Sequence, residues 1–531
     1  MFASRALMAL LVFALISTVV FFKFHGFFIQ TGSKAMREIV LEKGNPVEPG
    51  EYAAKVMSGR APAGVAALPD VAGFTVENIE REAPAFAPGK INVRDMIGLP
   101  GLREFIKKDG RVQRLRLSQG EVNPLAIVVE SGKYDFRRLV EETDKIRPGL
   151  IVRKGDKYLI RAPILVQHGA ALVISGKDSD EYLLSKDQTV FIANAGDLYV
   201  LRARITGWDE KTNGPALFED RKSFRPFLVS WTGGRMYLAG SSFSHLGYRK
   251  GKSYGLTYSS CQPCLDQKAD LPRPTGAIVG NTFTALYYGL YTYEADDIAI
   301  VGNTYADNII YGIDPHDRSR RLIIANNEVY GSGKKHGIII SRDVDDSWIF
   351  GNNSHHNVGS GIMIDRQSRN NIIANNVSAH NGGDGMTFFE SPDNVIYGNQ
   401  IYRNKMSGIR IRNSWNLRFF NDQIADNGRV AVVVYAASLA ESQKDRDLKM
   451  DPYSVRAGAD FTDTVFKLAE GKPAFKVDGA ERLALSGVHL LSGDAVFAGR
   501  LFAADPGVLR GISENARTVV VENKVAKNEL Q

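Results

Sequence analysis

Short apolar runs recur along the chain, each ending in a small or aromatic residue followed by asparagine. They are IVGN ending at Asn281 and Asn303, IIAN at Asn326 and Asn375, IFGN at Asn352, IYGN at Asn399 and RFFN at Asn421, spaced 22, 23, 26, 23, 24 and 22 residues apart. A second run, opened by glycine, sits in each repeat: GLYTYE from Gly289, GIDPHD from Gly312, GIIISRD from Gly337, GIMIDR from Gly361, GMTFFE from Gly385 and GIRIRN from Gly408. Repeats this short leave no room for a crossover helix, and the pattern of a leucine-rich repeat is missing. They predict an all-β chain, a right-handed parallel β-helix (solenoid) whose short strands stack from coil to coil. The tagged asparagines are expected at equivalent turns, as a ladder of amides bonded to one another and to turn backbone.

Side chains alternate faces along a strand, so the glycine-opened runs also predict a register. The first and third positions after the glycine point inward, as with Ile338 and Ile340, Ile362 and Ile364, Ile409 and Ile411. Outward at the second position come Tyr291, Asp314, Ile339, Met363, Thr387 and Arg410. The fourth position gives Tyr293, His316, Ser341, Asp365, Phe389 and Arg412, and the fifth gives Glu294, Asp317, Arg342, Arg366, Glu390 and Asn413. One face of the solenoid is thus rich in ionisable and aromatic groups, with coils about 4.8 Å apart.

The β-helix is expected over residues 121–440, where YLIRAPILVQHGAALVIS and TVFIANAGDLYVLRARITGW read as earlier coils and YDFRRLVEETDK as a short amphipathic helix. Open terminal coils would expose unpaired strand edges, so residues 41–120 are expected to form an N-terminal flanking cap and 441–531 a C-terminal β extension or cap. Residues 1–40 read as a signal peptide or membrane anchor: Ala6 to Phe22 is an unbroken apolar run of 17 residues. No small-residue cleavage site follows in FFKFHGFF, which favours an uncleaved anchor. The two cysteines, Cys261 and Cys264, are expected to close a small local disulfide in the oxidising compartment that export implies. A net charge of +7 and a pI near 9.1 favour an anionic partner without choosing among nucleic acid, membrane and acidic polysaccharide.

The candidate chemistry lies in the run YGIDPHD from Tyr311 to Asp317. Pro315 removes a ladder donor, and proline in a sheet interior marks a local compromise. His316 shares its strand with Asp314, and Arg342 lies one coil on and one position along. An imidazole between carboxylates is oriented and kept basic, and a guanidinium pairs with a substrate carboxylate. That set suits removal of a carbon-bound proton next to a carboxylate, with His316 as base and Arg342 neutralising the enolate-like dianion. Arg366, Arg410 and Arg412 could extend a row of carboxylate subsites along the outward face with Asp365, or form a solvated face balanced by Asp365 and Glu390. Tyr311, Tyr291 and Tyr293 are candidate aromatic platforms or proton donors. His355, His356 and His380 fall in turns away from the reactive strand, and the single GGDG at 382–385 is not a calcium-binding array, so neither metal nor cofactor is expected.

The DPHD motif on such a repeat, followed one coil later by SRD, resembles the periplasmic mannuronan C5-epimerases of bacterial alginate biosynthesis. The resemblance covers most of the chain. It implies that His316 removes the C5 proton, that Arg342 neutralises the mannuronate carboxylate, that Asp314 and Asp317 position the base, and that water supplies the proton on the other face. It further implies conversion of D-mannuronate to L-guluronate within polymannuronate, in the periplasm, beside proteins of a polysaccharide-export assembly and without nucleic acid. A polyuronate lyase using the same base and neutraliser, or a non-catalytic polysaccharide-binding scaffold, remain the alternatives. The lyase additionally needs an acid at the C4 oxygen.

Overall fold

The computed structural model describes residues 36–42, 61–99, 102, 111–261, 271–441, 446–492, 497–498 and 518–524. The N-terminal apolar run and Cys264 lie outside the described residues. Cys261 is disulfide-bonded, and no described helix is long and apolar enough to cross a membrane. The chain divides into a large unit, residues 39–521, and a small one made of residues 1–38 and 522–531. The site lies in the large unit.

Each coil of the large unit contributes one strand to each of three parallel tracks, so the strands stack into a β-helix. The first track carries the glycine-opened runs: Tyr288–Tyr293, Tyr311–His316, Ile338–Ser341, Ile362–Asp365, Met386–Phe389, Ile409–Arg412 and Val432–Tyr435. The second carries Ile298–Val301, Ile323–Ala325, Trp348–Phe350 and their equivalents, and the third Thr304–Ala306, Glu328–Tyr330 and Asn353–His355. Beyond residue 457 the parallel pairing continues through Phe475–Asp478 to Phe497–Ala498. The helix interior is a column of aliphatic side chains: Ile313, Ile338, Ile362, Met386, Ile409 and Val432 are fully buried. Each contributes about 1.5–3 kcal/mol by leaving water.

The predicted amphipathic segment forms the helix Phe136–Ile146, whose N-cap Asp135 accepts from the Arg138 backbone N–H at 2.9 Å. Its Phe136 ring packs on Tyr158 and Tyr182 at centroid distances of 5.2 and 4.8 Å, closing the first coils. Residues 61–83, including the helix Val76–Glu82, bring Ala61, Val65, Leu68, Val71, Phe74 and Ile79 onto the apolar outer face of the second track.

The asparagine ladder is present between the second and third tracks, but its membership differs from the expected one. Its rungs are Asn281, Asn303, Asn327, Asn352, Asn376, Asn399 and Asp422, joined by side-chain amide bonds of 2.8–3.0 Å with spacings of 22, 24, 25, 24, 23 and 23 residues. Asn326, Asn375 and Asn421 stand one residue earlier, with φ of 55°, 54° and 52°, where Gly280, Gly302, Gly351 and Gly398 sit in the other coils. In a GN pair the glycine takes the left-handed corner and the asparagine the rung. In an NN or ND pair the first residue takes the corner, because asparagine is the side chain that best tolerates that conformation.

The last rung is a carboxyl group. Asp422 Oδ1 accepts from the Asn399 backbone N–H and Nδ2, both at 2.8 Å. Its buried Oδ2 has no partner among the described residues. Burial pushes this carboxyl up to about 7 against the hydrogen bonds from Asn399 and Phe420. The folded-state pKa is therefore above the unfolded one, so this group's stabilisation is complete near pH 4 and is lost as pH rises towards 7, at about 1.4 kcal/mol per pH unit. Asp422→Asn restores the amide rung and removes that dependence. It is expected to stabilise the protein by about 2 kcal/mol or more at pH 8 and hardly at pH 4.5. Thermal unfolding at the two pH values checks this, and an equal change in Tm at both would count against it.

Candidate active site

The strand pairings bear out the register read from the glycine-opened runs. Tyr291 pairs with Asp314 and Tyr293 with His316, His316 with Ser341, Ser341 with Asp365, Asp365 with Phe389, and Phe389 with Arg412. At Asp314 and Pro315 the ladder to the next coil is interrupted, with pairing only at Ile313 and His316. The fifth position is the corner of each coil. Glu294, Asp317, Arg342, Arg366, Glu390 and Asn413 have φ of 49°, 43°, 65°, 52°, 51° and 50°, so their side chains leave the strand end in a common left-handed geometry. For non-glycine residues that conformation costs about 1–2 kcal/mol each. It sets a row of charged groups beside the fourth-position row that contains His316.

His316 Nδ1 lies 2.5 Å from Asp317 Oδ2. Burial alone would raise the Asp317 carboxyl, but the hydrogen bond with His316 and the charges of His316, Arg342 and Lys252 bring it down to about 2. An ionised carboxylate only accepts, so Nδ1 is the donor and Nε2 of a neutral His316 holds the lone pair. The imidazole is 23% exposed. The opposite oxygen of the pair, Asp317 Oδ1, meets Arg342 Nη1 at 3.4 Å. The Tyr291 hydroxyl donates to Asp317 Oδ2 at 3.5 Å, and its ring lies 5.7 Å from the imidazole.

Two other carboxyls near His316 behave in the opposite sense. Burial raises Asp314 to about 7, opposed by His316 and reinforced by Asp317 and Asp365. Its Oδ1 is buried and unpartnered among the described residues. Asp365, which accepts from Ser341 Oγ at 3.1 Å, is raised to about 6 by burial and by Glu390 against Arg366 and Arg412. Asp317 therefore carries the negative charge beside His316, while Asp314 and Asp365 are biased towards the neutral acid. This division follows from burial and pairing rather than residue type.

Rings flank the strand on its other side. Tyr288 stacks on Tyr254 at 4.8 Å, Tyr311 meets Tyr288 edge-on at 5.1 Å, and His336 stacks on Tyr311 at 6.1 Å. His336 Nδ1 accepts the Ser360 backbone N–H at 2.9 Å, and burial, aided by Lys335, pushes its pKa down to about 4, so this imidazole is neutral near pH 7. Tyr311 is pushed up by burial and by Asp314 and Asp365, and remains a phenol.

Not every predicted residue has free chemistry. Arg410 is held by both oxygens of Asp384, at 2.7 and 3.0 Å. Arg412 is bound to Glu390 at 2.7 Å with its guanidinium 3.7 Å above the Phe389 ring. Arg366 bridges Asp451 at 3.1 Å and Asp365 at 3.6 Å. Arg342 pairs with neither Asp343 nor Asp345, the partners its surroundings in sequence would offer. His355 closes a strand of the third track, stacked on Tyr330 at 5.2 Å, so the histidine group sits on a different track from His316. Among the described residues no cluster of three or more histidine, cysteine or acidic side chains is arranged to hold a metal ion. Sequence reasoning singled out Tyr311 but missed Tyr254, Tyr288 and His336, which likewise stand immediately before a glycine, and it missed Asp451 and Arg446, which come from an insertion outside the repeat.

Fold and site define a parallel β-helix that carries a histidine–carboxylate pair beside an arginine on one charged face. Residues 288–443 match the family model described as right handed beta helix region. The chain is 42% identical over 394 residues to the mannuronan C5-epimerase of Pseudomonas putida, covering 73% of this chain and 74% of that one. It is 42% identical, over 73% of each chain, to the mannuronan C5-epimerase AlgG of Azotobacter vinelandii. The solved periplasmic alginate epimerase AlgG superposes with a TM-score of 0.77 at 35% identity, covering 81% of this chain and all of that one. The chain belongs to the mannuronan C5-epimerase family.

Proposed function

We propose that this enzyme inverts C5 of D-mannuronate residues within polymannuronate, giving L-guluronate, with His316 as the base and Arg342 as the neutralising group. The observation that carries the assignment is the His316 and Asp317 pair, in which an ionised carboxylate on Nδ1 leaves a basic Nε2 one coil from a guanidinium. Nε2 takes the C5 proton and the bonding electrons pass into the substrate carboxylate. The resulting dianion is stabilised by Arg342, whose side chain is 41% exposed. Water returns a proton to C5 from the opposite face, and His316 releases its proton to solvent. Asp314, Arg366, Asp365 and Tyr311 line the same face, and Arg410 and Arg412 extend it on the coil two beyond that of Asp365. Arg410 and Arg412 act there as charge-balanced walls rather than as open carboxylate sites. The platform of rings from Tyr254 to His336 suits stacking against sugar faces.

The working compartment is the periplasm, in keeping with the related periplasmic epimerase. The apolar run Ala6 to Phe22 supports export and retention at the inner membrane. An anionic polymer is the substrate, and export-assembly proteins are the expected neighbours.

Proton NMR of polymannuronate incubated with the enzyme in deuterated water tests the reaction. Guluronate signals carrying deuterium at C5, with chain length preserved, are the expected result. Unsaturated chain ends would instead show expulsion of the C4 oxygen by β-elimination, and binding without either change would leave a polysaccharide scaffold.

A further inference from the structure

The connection between the strands Val432–Tyr435 and Gly458–Thr462 breaks the repeat, and residues 446–457 bring charge back onto the corner row of the first track. Arg446 is 3% exposed and Asp451 8% exposed. Arg446 Nη1 donates to Glu390 Oε2 at 2.9 Å, Nη2 donates to Asp451 Oδ1 at 2.8 Å, and Nε donates to the Asp451 carbonyl at 2.7 Å. The Gln367 amide adds a donation to the Pro452 carbonyl at 3.0 Å. Asp451 is thereby fixed with its other oxygen, Oδ2, 3.1 Å from Arg366 Nη1 and 3.9 Å from Arg342 Nε.

Arg342 and Arg366 occupy the same corner position on successive coils, about 4.8 Å apart. Two guanidiniums at that spacing repel; each has a carboxyl group of its own, Asp317 for Arg342 and Asp365 for Arg366, and among the described residues Asp451 is the acid that meets both. We propose that Asp451 is a positioning residue for epimerisation, its carboxylate holding Arg342 and Arg366 side by side so that Arg342 turns its Nη edge to the substrate carboxylate beside His316. The proposal rests on the reading of Arg342 as the neutralising group. Asp451 approaches Arg342 from the buried Nε side at ion-pair distance, without a hydrogen bond, and Asp317 meets Nη1, so Nη2 is the nitrogen left for the substrate carboxylate. Arg446 and Glu390 are buried, which makes this a fixed brace rather than a swinging lid.

Steady-state turnover of polymannuronate by Asp451→Asn, Asp451→Glu, Arg342→Ala and the double variant Arg342→Ala/Asp451→Asn tests it. Asp451→Asn is expected to lower kcat by about 10- to 100-fold with KM little changed, as misplacing a positioned group does. Asp451→Glu is expected to recover part of the loss, and the double variant to be no slower than Arg342→Ala alone. A fall in KM with kcat retained would show that Asp451 competes with substrate and would overturn the brace. Additive losses in the double variant would also overturn it while leaving Arg342 in its role. Full turnover by Arg342→Ala would remove the neutraliser and the brace together. If circular dichroism shows that Asp451→Asn does not fold, Arg446→Lys is read by the same criteria, since it keeps the buried charge but loosens the hold on Asp451.

Discussion

Replacing His316 by alanine is expected to abolish epimerisation while leaving the coil folded. The imidazole projects from the outward face, and the core beneath it is made by Ile313 and its stacked equivalents, which the substitution does not touch. Loss of a positioned general base costs about 10²- to 10⁴-fold in rate. Asp317→Asn is expected to give a smaller loss. An amide can still accept from Nδ1, but it can also turn its NH2 group towards the ring and favour the tautomer with the proton on Nε2. Deuterium incorporation at C5, measured by NMR, reads the proton-abstraction step itself, and circular dichroism reads the fold. A His316→Ala enzyme that kept more than about a tenth of the wild-type exchange rate would remove His316 from the role of base, because general bases contribute far more than that.

Arg342→Ala is expected to slow turnover by about 10²- to 10³-fold, the cost of removing one preorganised donor from a developing negative charge. The effect belongs mainly in kcat, because the second charge on the carboxylate exists only after the proton has left. Arg342→Lys retains a cation but offers a compact ammonium in place of the planar fork, so part of the loss is expected to remain. Backbone strain does not confuse the comparison. Position 342 has φ of 65°, and arginine, alanine and lysine all bear the same left-handed cost there. Single-turnover rates at saturating polymer separate the two readings, and an Arg342→Ala variant with raised KM and unchanged kcat would make the guanidinium a binding group only.

Most of the architecture could be read from the order of residues. Strand periodicity is two, coil spacing is in the twenties, and a face one strand wide must repeat in register, so the glycine-opened runs placed Tyr293, His316, Ser341, Asp365, Phe389 and Arg412 in one row as the pairings have it. The ladder shows the limit of the same reasoning. An NN pair and a GN pair look alike as tags, and only the backbone reveals that Asn326, Asn375 and Asn421 take the corner while Asn327, Asn376 and Asp422 make the rungs.

The local motif, the outward row of His316 and the nearness of Arg342 were determined by sequence alone, because they depend on alternation along a strand and on the rise from one coil to the next. Which carboxyl is ionised, which arginine is already paired and what fixes Arg342 were decided by tertiary structure. Asp314, Asp317 and Asp365 are the same residue type, yet burial makes two of them weak acids while His316 and Arg342 hold the third as a carboxylate. Asp451 reaches the site from more than a hundred positions along the chain, through a connection with no repeat to betray it. Electrostatics acts through space and through the water that burial removes, and neither quantity is written in the spacing of residues.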